Sequence, residues 1–185
     1  MKIPVVGFDP SLTSWGIAES ELDLTTGYLD TPRLRVLEPE KIKTKQVRQN
    51  STDLDVAKQL ATAALSTARS AKAVFVEVPV GSQSARAMAS YGICVGILGT
   101  LMAEGVQLIE VTATEVKKAL TGNKHATKDQ MITEARKLYP EANFPMWRGE
   151  VASKAEHVAD AIGAIHAGVG TPLFQNLMKL YNQET

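Results

Sequence analysis

Cysteine is all but missing from this chain of 185 residues: Cys94 stands alone. That excludes an intrachain disulfide and any zinc site built on cysteines. No charge of either sign is in surplus, since 20 Lys and Arg match 20 Asp and Glu. A zero balance argues against indiscriminate binding of polyanions, yet it is compatible with a basic face offset by an acidic site. Internal repeats and low-complexity tracts are absent, so solenoids and arrays are excluded. Met1 runs straight into strand-like sequence with no basic-then-apolar leader, and no apolar segment reads as long enough to span a membrane, which predicts a cytoplasmic protein. What remains is an ordinary globular composition, 44% hydrophobic and 22% charged, read as one domain over residues 1–185. Cys94 lies in the apolar stretch Gly92 to Leu98 and reads as a buried, inert thiol.

Hydrophobic periodicity orders the elements. Residues 3–9 form a buried strand and 15–22 its antiparallel partner across a short turn. A third strand falls within 26–38, where Leu34 and Val36 alternate with Arg33 and Arg35 to give one wet face. A helix begins at Ser51 and runs to about Ser70, with Asp53 and Asp55 in its first turn. Residues 73–78 read as a short central strand, and a long helix follows from about Ser82 to Glu104, ended by Gly105. The strand 106–111 comes next. Helices near 112–120 and 127–139 follow, then a loop from Pro140 to Gly149, a helix over 153–168 and a short helix after Pro172. Three meandering strands followed by strand–helix alternation predict an α/β fold with a five-stranded mixed sheet flanked by helices.

Three acids stand out against this frame. Asp9 ends the first apolar strand and leads into Pro10-Ser11. It is either a turn former or a carboxylate that needs a cationic partner. Glu77 closes the apolar run Ala73-Val74-Phe75-Val76, where a charge is unusual outside a functional site, the alternative being a strand-end Glu in solvent. Asp160 sits on the late helix. There Val158, Ile162 and Ile165 form the buried stripe, leaving Glu156, His157 and Asp160 on the side where a plain solvated face would also lie. His157 and Asp160, three apart, share a face and could grip one ion together, with Glu156 a competitor for that role. Acids converging from two strands and a helix are what a divalent metal site for phosphodiester chemistry requires.

The segments Gly7-Phe8-Asp9-Pro10-Ser11-Leu12 with Gly16, Val76-Glu77-Val78-Pro79, and His157-Val158-Ala159-Asp160-Ala161-Ile162 together resemble the RuvC-type Holliday junction resolvases of the RNase H-like superfamily. Order and spacing match over nearly the whole chain. The resemblance implies an RNase H-like fold and Asp9, Glu77, His157 and Asp160 as metal-binding catalytic residues. It also implies Lys117 and Lys128 near the phosphate, and a homodimer acting on branched DNA. The chain departs from that pattern in two places. Pro79-Val80-Gly81-Ser82-Gln83 lacks the aromatic residue that related resolvases wedge into the junction, and Tyr91 lies far along the next helix. Residues 143–150 read as an extra loop, in which Trp147 beside Arg148 is either a loop anchor, the favoured reading, or a DNA contact.

The chemistry expected of such a site is in-line displacement at phosphorus with two divalent ions roughly 4 Å apart. Asp9 would bridge them, while Glu77 on one side and Asp160 with His157 on the other complete the set. Hard oxygen ligands predict Mg²⁺, with Mn²⁺ able to substitute. The most basic stretch carries Arg33, Arg35, Lys41, Lys43, Lys45 and Arg48 against Glu38 and Glu40 and reads as a DNA-backbone track. Gln83, Lys118 and Lys124 are further candidate DNA contacts, and His125 reads as a surface residue. Metal-dependent cleavage of branched DNA by paired symmetric nicks is the leading expectation. Flaps, forks or RNA–DNA hybrids are alternative substrates, and an actin- or sugar-kinase-like nucleotide-binding module is a remoter alternative.

Overall fold

The computed structural model describes residues 1–40 and 48–181. Its centre is a five-stranded mixed sheet ordered β3-β2-β1-β4-β5, formed by β1 (Lys2–Asp9), β2 (Trp15–Asp23), β3 (Arg33–Leu37), β4 (Ala73–Glu77) and β5 (Leu108–Val111). β1 pairs antiparallel with β2 and β2 with β3, while β4 runs parallel to β1 and to β5. The third strand is shorter than expected; its approach touches the sheet through a single bridge from Leu29 to Leu22.

Alternation along the strands divides the core in two. Val5 on β1, Ala18 and Leu22 on β2, Leu34 on β3, and Ala73 and Phe75 on β4 face one apolar cluster. Val6, Phe8, Trp15, Ile17, Val74 and Val76 face the other. Helices α1 (Gln49–Ala68) and α2 (Ala85–Ala103) cover the second face. The first face is covered by α5 (Ala155–Val169), against which α3 (Ala113–Thr121) and α4 (Lys128–Leu138) pack. A hairpin of β6 (Met146–Trp147) and β7 (Glu150–Val151) precedes α5, and α6 (Pro172–Tyr181) ends the described chain.

Several expectations change. Helix α1 starts at Gln49, so Asp53 and Asp55 lie beyond its first turn, which holds no acid. Asp53 is instead buried and receives Arg86 Nη2 at 2.7 Å, joining α1 to α2. Helix α5 has no plain solvated face: Ala155, Ala159, Ala161 and Ala164 are buried along with Val158, Ile162 and Ile165, because it lies over the middle of the sheet with α3 and α4 against its flanks. Helix α2 is long and apolar enough to cross a membrane by composition alone, with a mean hydropathy of 1.3, which corrects the expectation that no segment reaches that length. One side of it packs into the core through Cys94, Ile97, Leu98 and Leu101; Met88, Val95 and Met102 on it remain exposed.

The loop over 140–149 is pinned at its start. Asn143 Oδ1 accepts from Leu34 N and its Nδ2 donates to Leu34 O, both at 2.8 Å. The amide thereby satisfies both backbone groups of one residue on edge strand β3, as a further strand would. Phe144 is buried beside it.

Candidate active site

Two glycines decide how the site is built. A Cβ on Gly7 would stand 2.0 Å from the carbonyl oxygen of Ala161, and one on Gly16 would stand 2.0 Å from that of His157. Only hydrogen at these positions lets the backbone of α5 rest directly on β1 and β2. That close approach lays the first turns of α5 across the ends of β1 and β4. The period-two alternation that turns Val5 and Gly7 toward α5 does the same for Asp9, and the alternation along β4 turns Glu77 that way after Phe75.

The result is a cleft of about 400 Å³ lined by Asp9, Glu77, Glu156, His157 and Asp160, with Lys128 and Ser11 at its margin. His157 Nδ1 donates to Asp9 Oδ2 at 2.7 Å, and its Nε2 lies 3.7 Å from Glu156 Oε1. Lys128, first residue of α4, reaches Glu156 Oε2 at 2.6 Å. Its position is fixed by the capping box of Thr127 with Gln130, just as Thr112 and Glu115 set the start of α3 and hence the place of Lys117.

The electrostatics is that of crowded anions. Burial, followed by repulsion from Asp9 and Asp160, pushes the Glu77 carboxyl up to about 8. Burial, then Asp9 and Glu156, pushes Asp160 up to about 7. Lys117 opposes both shifts, so its charge reaches the cleft from α3. The hydrogen bond to Asp9 raises His157 against the opposing effect of burial. Cys94, on the far side of the sheet, is buried and pushed up to about 11, in keeping with an inert thiol.

Among the described residues no three His, Cys, Asp or Glu side chains stand as a ready-made metal cage. The imidazole is turned to Asp9, which it partly neutralises. The donor set nevertheless fits a hard divalent cation: oxygen ligands predominate, and burial followed by mutual repulsion raises the proton affinity of Glu77 and Asp160.

The remaining candidates are dispersed. Arg35 points to the α1 face and donates to Thr67 Oγ1 at 2.6 Å, while Arg33, two residues earlier on β3, shares that face. Neither lines the acidic cleft. Lys41, Lys43 and Lys45 lie outside the described residues. Arg48, Gln83, Lys118, Lys124 and His125 are exposed, none of them in the cleft. Three residues that the sequence did not single out for the site do belong to its wall: Ser11, Val80 and Tyr91. Tyr91 was set aside for its distance along the chain, yet α2 returns it to the same wall as Val80. Trp147 is 68% exposed and therefore no anchor; Phe144 has that role.

Similarity to known proteins is confined to structure. No protein-family model matches the chain, and no curated protein matches it. Among solved structures, T. thermophilus RuvC in complex with a Holliday junction substrate is similar with a TM-score of 0.64 and 20% identity, covering 96% of each chain. A second Thermus thermophilus RuvC structure gives a TM-score of 0.59 at 21% identity, covering 97% of each. The fold is thus RuvC-type and RNase H-like over essentially the whole length.

Proposed function

We propose that the protein is a metal-dependent endonuclease that cleaves branched DNA, most specifically a crossover junction endodeoxyribonuclease making paired nicks in a four-way junction. One observation carries this reading. Asp9, Glu77 and Asp160 converge with His157 in a single cleft, where burial and then mutual repulsion raise the proton affinity of Glu77 and Asp160. The structural likeness to a protein in complex with a Holliday junction substrate supports the substrate class.

Asp9, Glu77, Asp160 and His157 would hold Mg²⁺, with Mn²⁺ able to substitute, and the bound metal would polarise the phosphodiester and activate a water. The chain's own groups prepare the site for this. β1 and β4 are central strands, so Asp9 and Glu77 project from a rigid base. His157 fixes the orientation of Asp9 through its Nδ1. Lys117 adds positive charge from α3, and Lys128 holds Glu156 while its charge offsets that of an approaching phosphate. Loading the cleft requires Glu77 and Asp160 to release their protons, so affinity for the metal rises with pH.

A four-way junction presents two equivalent strands, which favours a homodimer. The exposed side of α2, with Met88, Val95 and Met102 among the small residues Gly92, Gly96 and Gly99, is the surface proposed for it. Action on cellular DNA accords with the cytoplasmic location expected from the sequence.

The test is cleavage of a four-way junction, a flap, a fork, linear duplex and an RNA–DNA hybrid with Mg²⁺ or Mn²⁺, using Asp9→Asn as control. Paired symmetric nicks at the junction, absent in Asp9→Asn, are the expected result. Preferential cutting of flaps or hybrids would move the substrate, and nucleotide hydrolysis without nicking would overturn the nuclease reading.

A further inference from the structure

The β6–β7 hairpin exposes an aromatic ring where the fold gives no packing reason for one. Trp147 and its neighbour Met146 are 68% and 53% exposed. Residues 148 and 149 make the two-residue turn, both with positive φ, 50° at Arg148 and 84° at Gly149. A non-glycine residue in that conformation is uncommon. Here it places the Arg148 guanidinium 5.6 Å from the centroid of the Trp147 ring, within range of a cation–π contact.

The ring is not isolated on the surface. It lines a groove of about 610 Å³ that also includes Ser14, Glu38, Lys154, Glu156 and His157. Glu156 and His157 belong equally to the acidic cleft, so the two depressions meet at the start of α5. Of the groove's three carboxylates, Glu38 and Glu156 are neutralised, by Lys154 and Lys128, each at 2.6 Å, and Glu150 is the third. A polyanion following the groove therefore meets one uncompensated carboxylate among the described residues, Glu150, with the Arg148 guanidinium two residues away. An exposed π-face backed by a cation, in a groove that meets the acidic cleft, is the arrangement that binds an unstacked base.

We propose that Trp147 is a stacking platform for a nucleobase that is unpaired at the branch point, with Arg148 closing on the ring from its side, and that this hairpin confers preference for branched over linear DNA. The inference rests on the nuclease reading of the cleft and adds to it the means by which the chain recognises a branch. Intact duplex keeps its bases stacked inward and offers no face to the ring, whereas a branch point frees one at lower cost.

The chain has two tryptophans, and Trp15 is fully buried, so solvent-exposed tryptophan emission reports Trp147 alone. The experiment uses the full chain carrying Asp9→Asn, titrated with fluorescein-labelled four-way junction, linear duplex and oligo(dT), following label anisotropy and tryptophan emission together. Junction and oligo(dT) are expected to quench the exposed emission and duplex to leave it unchanged. Trp147→Ala is expected to weaken junction binding roughly 5- to 100-fold with little effect on duplex, and Trp147→Phe to restore most of the loss. Junction binding without quenching, or equal loss for duplex and junction in Trp147→Ala, would overturn the stacking role while leaving the nuclease reading intact. Absence of anisotropy change with every DNA, together with absence of nicking by the unsubstituted protein, would overturn both.

Discussion

The crowding of carboxyls in the cleft has a thermodynamic cost that replacement of Glu77 by glutamine should relieve. Glu77 is pushed from 4.5 up to about 8. Between those values the folded chain retains a proton that the unfolded chain has lost, so stability falls as pH rises, by about 1.4 kcal/mol per pH unit for one such group. Asp160, pushed up to about 7, acts in the same direction over the lower part of the range. His157 does too: its folded value is raised, so the stability it contributes at low pH is lost as pH climbs through that value. His166 acts in the opposite sense, being depressed by burial, and its contribution is regained as pH rises toward 6.5. The window from pH 6.5 to 8 therefore isolates the acidic cleft, and over it Glu77 alone accounts for about 2 kcal/mol. In metal-free protein, the stability advantage of Glu77→Gln over the unsubstituted chain should grow by about 2 kcal/mol from pH 6.5 to 8, or roughly 4–8 °C in Tm, with a flatter pH profile. Added Mg²⁺ should raise the Tm of the unsubstituted protein in a saturable manner and that of the variant much less. Thermal unfolding in EDTA and in Mg²⁺ at pH 6.5 and 8 measures all four quantities. A variant that is destabilised equally at both pH values would refute the reasoning, because Glu77 would then be a packed structural residue and not a strained ligand.

Gly7→Ala should cost about 3 kcal/mol, since its Cβ would meet the backbone oxygen of Ala161 and not a side chain free to move; a Tm within 2 °C of the unsubstituted protein would contradict the packing of α5 on β1. Asn143→Ala removes both hydrogen bonds to Leu34 and should destabilise by about 1–3 kcal/mol, with faster hydrogen exchange at Leu34 as the local sign. Glu156→Gln should release Lys128 and weaken repulsion on Asp160, so that the pH at which metal binds falls; calorimetric titration of Mg²⁺ across pH 6 to 8 measures the displacement. His157→Asp exchanges the single imidazole of the proposed set for a harder oxygen ligand and should lower the preference for Mn²⁺ over Mg²⁺, read as the ratio of the two affinities.

The strands and their order were legible because each has one or two apolar faces and the alternation survives local noise. Asp9 and Glu77 were legible for the same reason: a carboxylate that ends an apolar strand breaks a pattern with period two, and a break in a strong pattern is easy to see. Asp160 was legible through the family resemblance and not through pattern alone, since α5 is surrounded by neighbours and a helix buried on nearly every side shows no polar face against which a functional acid stands out. What brings Asp160 over the strand ends is the lack of side chains at Gly7 and Gly16, and a glycine within a strand does not disclose which helix will rest on it. Arg33 and Arg35 of the basic tract stand apart from the cleft for a related reason. Alternation along β3 turns both to the α1 face, opposite the cleft. Trp147 was read as either a loop anchor, the favoured reading, or a DNA contact. Yet Phe144 already anchors that loop and the turn at Arg148 and Gly149 carries the ring outward. An exposed tryptophan beside the acidic cleft forgoes about 1.5–3 kcal/mol of burial available to a large apolar side chain, and a ligand that covers the ring would recover it.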